Sequence, residues 1–286
     1  MINIGLIGDI KLLEPYTSRV QQHKKVHIIG KSSVGTQPLP SSFHLQAPEF
    51  NRIELIERSD ALFINKFSLL PFPLICDIIK KSKHIFAASY PDLTPDELSQ
   101  LIKLANEARC IVHVANPYYY LPGIDWLANK IKKPASIQVV LNDKTETDKK
   151  TLIRLLLMLK DFTGAIPRKT CVSNYFSSPI KAEYKYIHLE YNDGSIINYH
   201  LQQMEDKGCF QTKIYMQDQF LEFDFSKNKY TMNGLNIDVT DKKSEDEAVD
   251  FLDTLIFNRK PATGLNNYLE VIQLYNIINE RLQRFN

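Results

Sequence analysis

A chain of 286 residues is long enough for two ordinary domains, each with its own core. Its 44% hydrophobic and 24% charged residues exclude a disordered or fibrous protein. Against 33 Asp and Glu, 35 Lys and Arg leave a net charge of +2, which excludes bulk attraction to nucleic acid or to an anionic membrane.

The N-terminus carries no basic segment, and its apolar run breaks at Asp9, so neither a signal peptide nor a membrane span is expected there. That run, Ile2-Asn3-Ile4-Gly5-Leu6-Ile7-Gly8, reads as a first buried strand turning toward a helix. A dinucleotide fingerprint would continue with two more glycines, one for backbone approach to a pyrophosphate and one for close helix packing. Ile10 and Leu13 stand at those positions, and their side chains are expected to occupy the space of the phosphates. Further strands are predicted at 26–29, 61–64, 84–87 and 111–115, and helices at 73–81 and 95–108. The second of these helices opens with a Thr94 N-cap, Pro95 in the first turn and Glu97 at the capping-box position. Strand alternating with helix predicts an α/β, doubly wound parallel sheet. Residues 30–50 are too irregular to assign, and His84 and His113 read as core histidines beside apolar runs.

The pattern changes near 117–122. A leucine-rich helix at 151–162 precedes a stretch, 182–239, in which apolar and polar residues alternate, with turn signals at Asn192-Asp193-Gly194 and Asn233-Gly234. An antiparallel meander is predicted there, with one face partly apolar, followed by helices at 245–257 and 265–285. The expected organisation is a Rossmann-like domain over 1–119 and an α+β domain with an open, mostly antiparallel sheet over 120–286. Lys80-Lys81-Ser82-Lys83 and Lys130-Ile131-Lys132-Lys133 read as solvated helix C-terminal ends. The four cysteines, Cys76, Cys110, Cys171 and Cys209, form no C-x-x-C pair and read as reduced thiols of a cytoplasmic protein. No histidine spacing suggests a metal site.

The run from Asp60-Ala61-Leu62-Phe63-Ile64 through Lys83-His84-Ile85-Phe86 to Leu93-Thr94 resembles the glucose-fructose oxidoreductase and inositol dehydrogenase (Gfo/Idh/MocA) family. Asp193-Gly194, Leu221-Glu222-Phe223-Asp224, and the stretch 248–256 followed by Arg259-Lys260-Pro261 extend the resemblance over nearly the whole chain. The resemblance implies the two-domain fold above, NAD or NADP as cofactor in active members, and pairing through the C-terminal sheet. It also locates departures. The family's E-K-P triad falls on Ala88, Ser89 and Tyr90, so a serine replaces the lysine. Counting back from Gly164, its D-x-x-x-H pair falls on Lys150 and Arg154, and a guanidinium cannot exchange a proton near neutral pH. Its A-T-P appears as Asn65-Lys66-Phe67, and its N-R-R-F as Pro117-Tyr118-Tyr119-Tyr120. Where an acid would hold the ribose after the second strand stand Gly30-Lys31-Ser32-Ser33.

Each candidate has a functional and a plain reading. Lys31, Ser32 and Ser33 could bind a 2′-phosphate or form a polar loop. Tyr118, Tyr119 and Tyr120 could stack on a flat ligand, furnish a phenolic acid, or pack between domains. Ser89 and Tyr90 fall at the expected cleft, with no histidine or acid spaced to activate the serine. Lys150 and Arg154 share a helix face and could hold an anion or be solvated. A dinucleotide, were one bound, would meet Gly8, Asp9, Ile10, Lys31, Ser32, Asn65 and Lys66. The reading favoured by these losses is a non-catalytic relative, a binding or assembly partner that forms a homodimer or joins a paralogous oxidoreductase, with room for a small ligand in the cleft. The alternative is an NAD(P)-dependent oxidoreductase of a sugar-like or other small carbonyl or alcohol substrate, with Tyr118, Tyr119, Tyr120 or Lys66 moving the proton.

Overall fold

The computed structural model describes residues 1–34, 47–131, 133–143, 149–163, 166–177, 182–203, 208–239, 246–259, 261 and 263–285. Expectations resting on Lys132, Gly164, Glu245 and Lys260 lie outside the described residues. Contacts divide the chain into two compact units, Met1–Asn116 with Ser244–Leu269, and Pro117–Lys243 with Glu270–Asn286. The backbone therefore returns to the first unit late in the chain, where the sequence reading has a single cut after residue 119.

The first unit begins with β1 (Ile2–Gly8), α1 (Ile10–Val20), β2 (Val26–Ser33), α2 (Arg52–Arg58) and β3 (Ala61–Ile64). It continues with α3 (Phe72–Lys80), β4 (His84–Ala87), α4 (Pro95–Glu107) and β5 (Val112–Val114). All five strands are parallel, in the order β2-β1-β3-β4-β5. Strands buried on both faces read as continuous apolar runs, and every residue of β3 is buried. The predicted capping box is present: Thr94 accepts from the Glu97 N–H while the Glu97 carboxylate accepts from the Thr94 N–H. The strand order reverses at β1 and β3, which puts a crevice at their C-terminal ends.

The second unit holds α5 (Ile124–Lys130), β6 (Ser136–Asp143), α6 (Lys149–Thr163), β7 (Lys169–Ser177), β8 (Ala182–Glu190), β9 (Ile196–Gln203), β10 (Cys209–Tyr215), β11 (Phe220–Asp224), β12 (Lys229–Met232) and β13 (Leu235–Asn236). These strands form one sheet in the order β13-β12-β11-β10-β6-β9-β8-β7. The predicted meander is thus interrupted. Strand β6 lies between β9 and β10, parallel to the former and antiparallel to the latter, because its alternate residues Ile137, Val139 and Leu141 join the buried face. Both predicted turns are in place. Asp193 accepts from the N–H and hydroxyl of Ser195, and Asn233 and Gly234 both take positive φ between β12 and β13. The opposite face of the sheet carries apolar Val140, Ile196, Tyr215 and Phe220 beside hydrogen-bonded polar side chains. Gln138 meets His200, Tyr184 meets His200 on its other ring nitrogen, and Gln211 donates to Asp224.

Helix α7 (Glu247–Phe257) belongs to the first unit, and α8 (Leu265–Leu282) starts there and ends in the second. Ala248, Phe251 and Leu252 of α7 enter the core of the parallel sheet with Leu6, Phe63 and Phe86. Phe63 and Phe86 stack at 4.6 Å between centroids, and Phe251 lies 5.7 and 5.6 Å from them. Beside these rings a polar cluster is sealed in. Glu247 accepts from the Asn116 N–H and lies 3.3 Å from Nε2 of the fully buried His113, which is also 3.3 Å from the Thr263 hydroxyl. His113 is a core histidine, as the sequence predicts. Removing one partner strands the others without water. Glu247→Ala is expected to destabilise the first unit by about 2–5 kcal/mol in urea unfolding, and the double variant with His113→Phe to cost less than the sum of the two singles. An unchanged midpoint for Glu247→Ala would contradict this account.

His84 offers a pH test. Burial depresses its pKa below the ordinary 6.5 against the opposing pull of Asp60, and its Nδ1 accepts the Ile111 N–H, which only the neutral ring can do. A folded-state pKa below the unfolded one favours the native state above the unfolded value, and that contribution is lost as pH falls through it. Unfolding free energy is expected to decline between neutral pH and about pH 5, with a shallower decline for His84→Gln. Parallel profiles for the two proteins would count against His84 as the source.

Candidate functional site

The C-terminal ends of β1, β2, β3 and β4 bring together Gly8, Asp9, Ser33, Asn65, Lys66, Ser89 and Tyr90. Gly8 has φ +123, and a Cβ there would sit 2.6 Å from Asn65 Cβ and 2.9 Å from Leu69 Cδ1. Only glycine lets β1 end this close to the segment after β3. The backbone of Asn65 completes the junction, its N–H donating to Ile7 O at 3.0 Å.

Ile10 and Leu13 do not occupy the phosphate space. They are 2% and 0% exposed and pack into the core with Leu6, Phe63 and Phe86, because both lie on the inward stripe of α1. The group at the mouth of the turn is Asp9. Its carboxylate is the N-cap of α1 and accepts the Lys11 N–H at 3.0 Å. A helix N-terminus attracts anions through its free N–H groups and its dipole, and here a carboxylate already supplies both the acceptor and the negative charge.

The placing of Lys31, Ser32 and Ser33 in a loop after the second strand is also corrected. All three belong to β2, paired with Leu6, Ile7 and Gly8 of β1, and Ser32 is buried. The strand runs longer than its apolar residues because segment 48–50 binds its outer edge: Lys31 N–H donates to Pro48 O, and Phe50 N–H to Lys31 O, each at 2.9 Å. This pairing carries Glu49 to the strand end. Its carboxylate accepts from the Ser33 N–H at 2.5 Å and the Ser33 hydroxyl at 2.9 Å. An acid therefore stands at the end of β2 after all, supplied from a segment that spacing along the strand could not reveal.

Ser89 is half-buried and donates its hydroxyl to Asn65 O at 2.7 Å, tying the end of β4 to that of β3. Tyr90 stacks on Tyr268 at 6.3 Å between centroids, and the Tyr268 hydroxyl donates to Pro91 O. Asn65 is buried, whereas Lys66 is exposed and begins the 3-10 turn Phe67–Leu69.

The remaining candidates belong to the second unit. Tyr118, Tyr119 and Tyr120 form the 3-10 turn Pro117–Tyr120. Tyr119 is buried and donates its hydroxyl to Leu157 O at 2.8 Å, which ties the turn to α6. Tyr118 lies against Phe210 at 5.2 Å, and Lys150 and Arg154 are half-buried on α6. Among the described residues no cluster of three or more His, Cys, Asp and Glu is arranged to hold a metal, and no helix is long and apolar enough to cross a membrane.

No family profile and no curated protein matches the chain. Solved structures do. UDP-N-acetylglucosamine 3-dehydrogenase GnnA from Acidithiobacillus ferrooxidans superposes with a TM-score of 0.82 at 16% identity, over 99% of this chain and 98% of that one. Two-domain dehydrogenases share this fold. Biliverdin reductase from Synechocystis, solved with biliverdin and NADP+, has a TM-score of 0.75 at 12% identity over 99% of both chains. A putative myo-inositol dehydrogenase from Sinorhizobium meliloti has 0.74 at 12%, over 100% of this chain and 98% of that one. A nucleotide sugar, a linear tetrapyrrole and a polyol name three different substrates on one architecture, so the site has to decide function.

The cap assignment is directly testable. Asp9→Ala is expected to cost about 0.5–2 kcal/mol in urea unfolding, and Asp9→Asn, which keeps an accepting oxygen, a few tenths at most. Equal losses for the two would remove the capping role.

Proposed function

We propose that this chain is a dehydrogenase-fold protein that does not transfer hydride and works as a binding or assembly protein. The observation that carries the reading is the Asp9 carboxylate capping α1 at the place where a pyrophosphate would need free N–H groups. The residues do not fit a nicotinamide dinucleotide at that turn, and Ile10 and Leu13 remove the glycines that let backbone approach it. The serine at the lysine position points the same way, because the Ser89 hydroxyl is spent on Asn65 O and, among the described residues, no base is bonded to it. Four unpaired cysteines support a reducing, cytoplasmic setting.

One observation favours a second reading, an NAD-dependent oxidoreductase. The Glu49 carboxylate at the end of β2 could accept ribose hydroxyls, and its charge would reject a 2′-phosphate. Calorimetry separates the two. With NAD or NADP at millimolar concentration the wild-type protein is expected to give no saturable heat, and no turnover with sugars or polyols. Micromolar binding of NAD that Glu49→Gln weakens would replace the first reading with the second.

A further inference from the structure

Strands β7, β8 and β9 place three side chains in one cross-strand row on the polar face of the second sheet. Cys171 is paired with His188, and His188 with Asn198. Thr170 and Val172 are buried, so the intervening Cys171 points to the other face, where it is exposed. Side chains directly opposite on neighbouring strands have Cβ atoms about 4.5–5.5 Å apart, close enough for a thiol and an imidazole to meet by rotation about χ1.

The third member sets the state of the second. His188 Nδ1 lies 2.8 Å from Asn198 Oδ1, which also accepts from the Tyr186 hydroxyl at 2.7 Å. Burial, with Tyr184 and Cys171 nearby, holds the Tyr186 phenol above its ordinary pKa, so it remains a donor to that oxygen. An amide oxygen only accepts, so His188 donates from Nδ1 and its Nε2 carries the lone pair. Among the described residues neither that nitrogen nor the Cys171 sulfur has another hydrogen-bond partner. A thiol across the ladder from an imidazole whose Nδ1 is held by a carboxamide supplies the residue types of a nucleophile, its base and the base's orienter.

We propose that Cys171 is a modification site, a base-assisted thiol that undergoes exchange with small disulfides. The Cys171 proton passes to His188 Nε2 as Sγ attacks one sulfur of the disulfide. The disulfide bond breaks, the departing thiolate takes the proton from His188, and Cys171 is left in a mixed disulfide. The oxidant is the small disulfide itself, reduced by the exchange. The other three thiols are held back by burial, which raises their pKa, that of Cys110 to about 12.

The test uses the full chain and a dipyridyl disulfide, whose released thione is followed by absorbance while peptide mass mapping assigns each cysteine. Cys171 is expected to be labelled first and faster than the same cysteine in the urea-unfolded chain, with Cys171→Ser deleting that phase. His188→Ala is expected to slow it about tenfold or more, and added imidazole to restore rate in that variant but not in the wild type. Should His188→Ala unfold, seen as all four cysteines reacting together, Asn198→Ala tests the same row and is expected to slow the phase. A native Cys171 no faster than the unfolded one, or a phase indifferent to His188→Ala or to Asn198→Ala in a folded protein, overturns the proposal.

Discussion

The buried carboxylate of Glu247 is the constraint around which the first unit is organised. It is 5% exposed, receives the Asn116 N–H at the exit of β5 and faces His113 in the middle of that strand. A carboxylate cannot remain in an apolar core without such partners, so the first residue of α7 is tied to one place on the sheet. Everything that follows in α7 inherits that position. Phe251 completes the ring cluster with Phe63 and Phe86, and Arg19–Asp246 and His23–Asp253 join the outer surface of α7 to α1 and the turn after it. A segment more than a hundred residues away in sequence thus closes the nucleotide-type sheet from which it appears, in sequence, to be separate.

With the sheet closed in this way, the ends of its strands converge where the order reverses, and the chemistry there depends on which atoms are already committed. Asp9 is committed to the helix, Glu49 to Ser33, Ser89 to Asn65. Each of these hydrogen bonds is ordinary by itself, and together they hold the strand ends and the start of α1 in place.

Most of the architecture was legible because it rests on local rules. Apolar runs of four to eight residues found all five parallel strands, the Thr94–Glu97 box found the start of α4, and Asn-Gly and Asp-Gly found the tight turns. What was not legible depended on pairing across distance. Nothing in the alternation of β6 says that it inserts between β9 and β10, because the same pattern serves any position in a half-buried sheet. Glu49 reaches the end of β2 only through the edge contact of 48–50 with Lys31, and without that partner the polar residues of β2 give no strand signal. Asp9 was different. An aspartate immediately before a helix is an N-cap signal visible in the sequence.

Ile10 and Leu13 strengthen the fold at the start of α1. Glycine in a helix interior costs about 1 kcal/mol relative to alanine, and fully burying an Ile or Leu side chain contributes about 1.5–3 kcal/mol. Ile10 and Leu13 supply both gains to α1 while pointing away from the crevice. The capping Asp9 and the aliphatic pair both hold the start of α1 in place. Glycine at 10 and 13 would withdraw their side chains from the core shared with Phe63 and Phe86. The crevice and the core share α1, and in this chain the core has the stronger claim on it.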